Sequence, residues 1–363
     1  MKVAYLCLQA TREGQASHAH VHEIIKGLQN HDVSVDLYEP KYVRKKKLPG
    51  AIGRLLGGMS TQIKLILKMK QYDLIYIRAH YLSFITSIFS NFFKKKVVIE
   101  INGPINDGQD NWPIIKPFMG GLIRARLFEV KNANGIIVVT PKLKEEIEML
   151  NEYVEIIPNG ANIEYFNPLR KNDHVNLQKP YVVFVGVMAK WQGIDKIVNS
   201  VKSDYWPSEV KLVFIGDGVD KEIVENAAKQ NDNIIYLGKR SYKEVGAFIA
   251  NSIASLAVIS KEGSRGEIGA SPVKLFEGMA SGVPVIATNI DFMGDLVRKH
   301  DCGIVIRTEY QKDELAQAVQ SILIDKEEAE RMGNNGRNAM IKYHSWQKRA
   351  DKTFDFLNQI INH

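Results

Sequence analysis

Two successive series of strand-like apolar runs, interleaved with helical patterns, constrain this chain more than any other feature. The first series reads "KVAYLCL", "HVHEIIKGLQ", "VSVDLY", "LIYIRA", "KVVIEI", "GIIVVT", the helix-like "PKLKEEIEML" and the short "VEIIP". The second reads "YVVFVG", "IDKIVNSV", "VKLVFIG", "IIYLG", "VGAFIANS" and "ASLAVIS". Such alternation is that of a parallel, doubly wound α/β sheet, here expected twice. Between the series lies "NGANIEYFNPLRKNDHVNLQKP", rich in turn formers, which puts a domain boundary near residues 166 to 179. A length of 363 residues fits two domains, and 45% hydrophobic content supplies two cores. Two doubly wound domains are expected to share a cleft facing the carboxyl ends of both sheets, where loops and helix N-termini gather.

The two cysteines, Cys7 and Cys302, are too few for a disulfide framework or a four-cysteine zinc site, which fits a reducing compartment. "MKVAYLCLQATREG" turns polar after one short apolar run and fits a first strand better than a signal peptide. "YLSFITSIFSNFF" is too short to span a bilayer. The net charge of +7 is unevenly placed: residues 41–96 hold thirteen Lys and Arg against the single acid Asp73. Within that segment "AIGRLLGGMSTQIKLILKMK" reads as an amphipathic helix with Lys64 and Lys68 on one side. The residues leave open an anionic membrane surface, an acidic acceptor or a plain solvated face; no recognition motif points to nucleic acid.

The loop after the first strand, "QATREGQASHAH", carries Gly14 and small residues but no G-x-G-x-x-G, which argues against a dinucleotide dehydrogenase. In the second half "FVGVMAKWQG" and "FIGDG" set Gly186, Gly193, Gly216 and Gly218 just after strands, where backbone can approach a ligand. His18, His20 and His22 invite a metal reading, but spacing fixes no acidic third ligand and Lys26 stands where H-E-x-x-H needs its second histidine. No metal site is expected.

"ASPVKLFEGMASGVPVIAT", residues 270–288, predicts a helix capped by Ser271, with Pro272 at its first position, followed by a buried strand after Pro284. Lys274 then lies about one turn from the positive dipole end, unfavourable by roughly 0.3–1 kcal/mol unless an anion is bound beside it. That suggests a phosphate. A solvated pair between Lys274 and Glu277, three residues on, is the other reading of the same residues.

"VEIIPNGANIEYFNP", "FVGVMAKWQGIDKIV", "SPVKLFEGMASGVPVIAT" and the terminal "HSWQKRADKTFDFL" together resemble a retaining nucleotide-sugar glycosyltransferase of the GT-B fold, similar to glycosyltransferase family 4, the glycosyl transferases group 1. The resemblance covers nearly the whole chain. It implies an N-terminal acceptor-side Rossmann-like domain over 1–168, a donor-binding Rossmann-like domain over 169–344, and a closing helix, 345–363, packed back on the first domain. It implies further that Lys274 faces the donor diphosphate, that Ser271, Pro272 and the helix N-terminus lie nearby, and that Glu277 accepts from the ribose hydroxyls. Gly14, Gly186, Lys190, Gly216 and Arg265 complete the expected donor site.

The sequence departs from the family at three places: Gly269 stands at the first glutamate of E-x7-E, Val187 at the usual arginine and Gln192 at the usual lysine. Lys190 or Arg265 would then supply the missing charge, and Glu262, Glu267 or backbone the sugar contacts. The histidine that often contacts the transferred sugar has no clear match, since Asn102 occupies its place; His18 and His80 stand in for it as catalytic candidates. The expected activity is that of a hexosyltransferase moving a sugar from a UDP- or GDP-sugar to a hydroxyl of a glycan or lipid-linked acceptor with retained configuration, in surface polysaccharide or glycolipid synthesis. The nucleotide sugar is a co-substrate; neither cofactor nor metal is expected. The expected location is cytoplasmic or peripheral on the inner membrane face. A GT-B-like sugar-nucleotide epimerase and a noncatalytic partner subunit are the rival readings.

Overall fold

A computed structural model describes residues 1–9, 11, 15–44, 50–104, 119–173, 175–177, 180–260 and 269–362. It divides into two units, Met1–Pro158 with Gln347–His363, and Asn159–Trp346. Gly14 and Arg265 fall outside the described residues, as do Lys45, Lys46, Lys47, Glu262 and Glu267.

Unit 1 is built on six parallel strands in the order β2-β1-β3-β4-β5-β6. These are β1 (Lys2–Cys7), β2 (Ser34–Tyr38), β3 (Leu74–Arg78), β4 (Lys96–Ile101), β5 (Gly135–Val138) and β6 (Val154–Ile156). Around them lie α1 (Ala16–Gln29), α2 (Ala51–Lys68), α3 (Phe84–Phe92), α4 (Met119–Asn132) and α5 (Pro141–Glu148). Local signals start the helices where they can: Thr140 accepts the N–H of Leu143 and Pro141 fills the first position of α5. The chain begins mid-sheet, adds β2 on one side of β1 and β3 on the other, so the strand order reverses between β1 and β3. Tyr5 and Tyr76 are register partners there, their rings stacked at 4.8 Å.

Unit 2 repeats the plan with β7 (Tyr181–Val187), β8 (Lys211–Asp217), β9 (Ile234–Tyr236), β10 (Ala254–Ala257), β11 (Val285–Thr288) and β12 (Gly303–Ile306), in the order β12-β11-β10-β7-β8-β9. Its helices are α6 (Ile194–Ser200), α7 (Lys221–Gln230), α8 (Tyr242–Ala250), α9 (Val273–Ala280), α10 (Met293–His300), α11 (Lys312–Ile324) and α12 (Lys326–Ala339). Alternate residues of each strand face opposite sides: Val182 and Phe184 join one core, Tyr181 and Val183 the other. Burial of each such side chain contributes roughly 1.5–3 kcal/mol, which is why these strands read as unbroken apolar runs. The order reverses between β7 and β10.

The chain passes into unit 2 at Pro158–Asn159, earlier than the boundary read from the turn-rich stretch. Asn159 donates its N–H to Ser271 Oγ (3.0 Å) and its amide to the Ser271 carbonyl (2.6 Å). The Arg337 guanidinium donates to the carbonyls of Ile163, Phe166 and Ala280 at 2.8–3.1 Å. Turn formers mark chain lying over the surface of unit 2, not the break itself. The last helix, α13 (Trp346–Asn362), packs on unit 1 from Gln347 onward, with Ala350 against Gly27 and with Phe356 and Ile360 against Gly135.

Candidate functional site

The carboxyl ends of β7 and β10, at the strand-order reversal of unit 2, are where a doubly wound sheet takes its ligand. Lys274, in the first turn of α9, is brought there, and it is buried. Its ammonium donates to Gln192 Oε1 (2.5 Å) and to the Val258 carbonyl (3.1 Å), and stands 4.1 Å from the centre of the Phe184 ring. Glu277, one turn on, is also buried. The solvated surface pair is therefore overturned. Burial pulls the Lys274 ammonium down to about 7, with the Glu277 charge opposing. Burial pushes the Glu277 carboxyl up to about 8, against the attraction of Lys274 and a hydrogen bond with Tyr242. At neutral pH each group resists its charge, so both titrate near physiological pH. An arriving polyanion that makes the lysine's charge favourable is what such an arrangement can hold.

Ser271 does not cap the helix. Its hydroxyl accepts from Asn159 N–H, and Pro272 occupies the N-cap position of α9 with no side-chain bond to the first turn. The tie to residue 159 engages the hydroxyl that a cap would need, and the Leu275 N–H of the first turn bonds instead to the Pro272 carbonyl (3.1 Å). Gly282, with φ +69°, ends the helix as read.

Gly186 and Gly216 are register partners at the ends of β7 and β8, with φ +148° and +141°. A Cβ on Gly216 would lie 1.9 Å from the Gly186 carbonyl oxygen, so the two backbones pass where no side chain fits. Lys190 is exposed in the short 3-10 turn Lys190–Gln192 after β7, the same turn that aims Gln192 at Lys274. The departure at Gln192 thus places an acceptor on the lysine. Gly269 has φ +77°, and a Cβ there would meet the Asp291 carbonyl at 2.9 Å, so a glutamate does not fit this backbone. Val187 is exposed at the end of β7.

In unit 1, His18 is half-buried in the first turn of α1, its ring 4.1 Å from that of His22. His80 follows β3 and accepts the Leu82 N–H on Nδ1 (3.2 Å), so a neutral ring there carries its proton on Nε2. Burial and the Arg126 charge lower its pKa to about 4. This tautomer donates from Nε2 and has no free lone pair for base catalysis.

Sequence reading missed a heavily bonded buried charge. Glu100, fully buried near the end of β4, receives His20 Nε2 (2.5 Å), Tyr76 hydroxyl (2.5 Å), Asn102 amide (2.5 Å) and Arg78 (3.2 Å), with Arg349 at 3.6 Å. Arg78 also reaches Gln9 Oε1 (2.9 Å), across the strand-order reversal between β1 and β3. Burial pushes the Glu100 carboxyl up, but His20, Arg349 and Arg78 outweigh it and hold it well below the ordinary value. Burial lowers His20 to about 4 despite that carboxylate. The signal was a lone acid in "KVVIEI" and a lone arginine in "LIYIRA", each inside an otherwise apolar strand.

Residues 166–339 match the family model described as glycosyl transferases group 1. An uncharacterized glycosyltransferase of Methanocaldococcus jannaschii is 26% identical over 224 residues, 61% of this chain and 58% of that protein. A GDP-mannose-dependent alpha-(1-6)-phosphatidylinositol monomannoside mannosyltransferase of Mycobacterium tuberculosis is 26% identical over 56% of this chain and 55% of its own length. The chain thus spans little more than half the length of these curated relatives. Sucrose-phosphate synthase from Thermosynechococcus elongatus superposes with a TM-score of 0.78 at 15% identity, over 100% of this chain and 99% of that one. Anabaena HepE in complex with UDP and glucose gives a TM-score of 0.74 at 15% identity, over 99% of this chain and 100% of that one. At such identities these likenesses carry the fold alone, which is GT-B. The family likeness thus falls on most of unit 2, whose residues 166–339 match the glycosyl transferases group 1 model.

Proposed function

We propose that the protein is a retaining hexosyltransferase that moves a sugar from a nucleoside-diphosphate sugar to a hydroxyl of a glycan or lipid-linked acceptor, in surface polysaccharide or glycolipid synthesis. The observation that carries the reading is the buried Lys274, held in the first turn of α9 by neutral acceptors and disfavoured as a cation until an anion arrives. In this mechanism the bond between the sugar and the diphosphate breaks as the acceptor hydroxyl attacks on the same face, and the hydroxyl proton passes to the departing phosphate oxygen. Negative charge grows on the departing phosphate oxygen. Lys274 and the N-terminus of α9 meet that charge already in position, which makes stabilisation of the leaving group the protein's main task. Glu277 accepts from the ribose hydroxyls and fixes the nucleotide end. Gly186 and Gly216 let the backbone run close to the donor. Relatives and structural neighbours name both GDP-mannose and UDP, so the base is read by experiment.

A panel of UDP- and GDP-sugars scored for binding, hydrolysis, transfer and epimerisation tests the reading. Hydrolysis or transfer of one donor supports it. Free epimerised sugar nucleotide without an acceptor requirement, or binding without turnover, replaces it with one of the rival readings.

A further inference from the structure

An apolar helix stripe on a soluble unit ordinarily faces the core. In α2 the arrangement is inverted. The side packed inward carries Gly58, Thr61, Gln62 and Leu65, and it is anchored by polar contact, with Gln62 Oε1 accepting from the Thr86 N–H (3.2 Å) and hydroxyl (2.9 Å). The outward side carries Ile52, Leu55, Leu56, Met59, Ile63 and Leu67, of which Ile52 is 76% and Leu67 81% exposed. At 100° per residue these six fall on one stripe, with Lys64 and Lys68, both exposed, along one margin. α3 runs beside α2, with Thr86 against Gln62 and Ser90 against Met69, and exposes Phe89 and Phe92.

We propose that this face of unit 1 docks in the plane of an anionic lipid bilayer, the α2 stripe and Phe92 entering the headgroup and acyl boundary while the flanking lysines meet the phosphates. Charge selects this occupant. α2 carries Arg54, Lys64 and Lys68, and neither α2 nor α3 carries an acid, so a second copy of this chain would bring like charge against like, whereas an anionic surface offers both apolar depth and the opposite sign. Among the described residues no helix is long and apolar enough to cross a membrane, so α2 lies along the surface. The inference rests on the transferase reading for its meaning: the acceptor is then one carried by a lipid.

The test is cosedimentation of the full-length protein with phosphatidylcholine vesicles made with and without phosphatidylglycerol, across a salt series, alongside donor binding measured without vesicles. Wild type is expected to bind the anionic vesicles and to weaken as salt rises. Leu56→Ser/Ile63→Ser/Leu67→Ser removes only exposed side chains and is expected to lose binding by more than roughly tenfold at every salt concentration. Lys64→Gln/Lys68→Gln is expected to lose roughly thirtyfold at low salt and part of the salt dependence. Leu56→Trp is expected to shift its emission to the blue on binding and to be quenched by brominated lipid. Wild type left in the supernatant at low salt overturns the proposal, as does a wild-type dimer that the triple serine variant dissociates. Wild type that binds donor but no vesicles refutes the docking alone; wild type that docks on vesicles but binds no donor refutes the transferase reading alone.

Discussion

Replacing Lys274 by methionine should make the ligand-free protein more stable. The side chain is buried, and its pKa falls from 10.5 to about 7 because the fold disfavours the ammonium. A group lowered in this way carries its full cost below the folded value, and the cost fades as pH rises through the unfolded value. At pH near 7.5 the shift amounts to about 4 kcal/mol at 1.36 kcal/mol per unit, an upper bound. Methionine keeps the length and the contact with Phe184 but leaves Gln192 Oε1 and the Val258 carbonyl without their donor, which costs about 1–3 kcal/mol. The net gain is roughly 2 kcal/mol, or roughly 4–8 °C in the transition of a unit of this size. Calorimetry of ligand-free wild type and Lys274→Met, repeated at rising pH, measures it. The gain should shrink toward pH 10. A Tm that falls in the variant, or a gain independent of pH, refutes the claim that the fold carries this lysine at a cost.

Lys274→Ala should lose roughly 10²–10³ in turnover by analogy with removal of one preorganised donor, while Lys64→Ala leaves turnover on a soluble acceptor intact; steady-state assays on folded protein decide. Glu277→Gln should weaken donor binding, since bonds to a charged acceptor contribute about 1.5–3 kcal/mol, and the loss should not add to that of a 2′,3′-dideoxy donor in a calorimetric cycle. Glu100→Gln should destabilise by about 3–5 kcal/mol in denaturant unfolding because Arg78 and Arg349 lose their carboxylate. The stability that Glu100 contributes is present above its ordinary value of 4.5 and is lost as pH falls toward the depressed folded value, so the variant should flatten the acid limb.

Strand–helix alternation made the two sheets legible because each buried strand is a short apolar run and each helix announces itself by period. Helix α9 was legible for the same reason, and Lys274 stood out because a cation in a first turn is unfavourable. Three things were hidden by distance in sequence. Ser271 has the residue type of a cap, but Asn159, 112 positions away, holds its hydroxyl. Gln192 looked like a lost cation, and only the fold sets its carbonyl oxygen on Lys274. His20 drew attention merely as one of three histidines, since nothing local ties it to Glu100, eighty residues on.

The central claim is that donor phosphate holds the charge of Lys274 while ribose holds that of Glu277, so binding moves a proton from the acid to the amine. With free-state values of about 7 and about 8, binding releases a net proton at lower pH, where Glu277 is still protonated. It takes one up at higher pH, where Lys274 is neutral. Affinity for a nucleotide sugar, whose diphosphate charge is fixed over this range, should therefore rise and then fall, with a maximum near pH ~7.5. Lys274→Met should leave only the rising limb and Glu277→Gln only the falling one. A titration of the accepted nucleotide sugar by calorimetry from pH 6 to 9 on these three proteins tests it directly. Opposite monotonic limbs in the variants and a bell in the wild type are the expected result, and a wild-type affinity that is flat across the range contradicts the account.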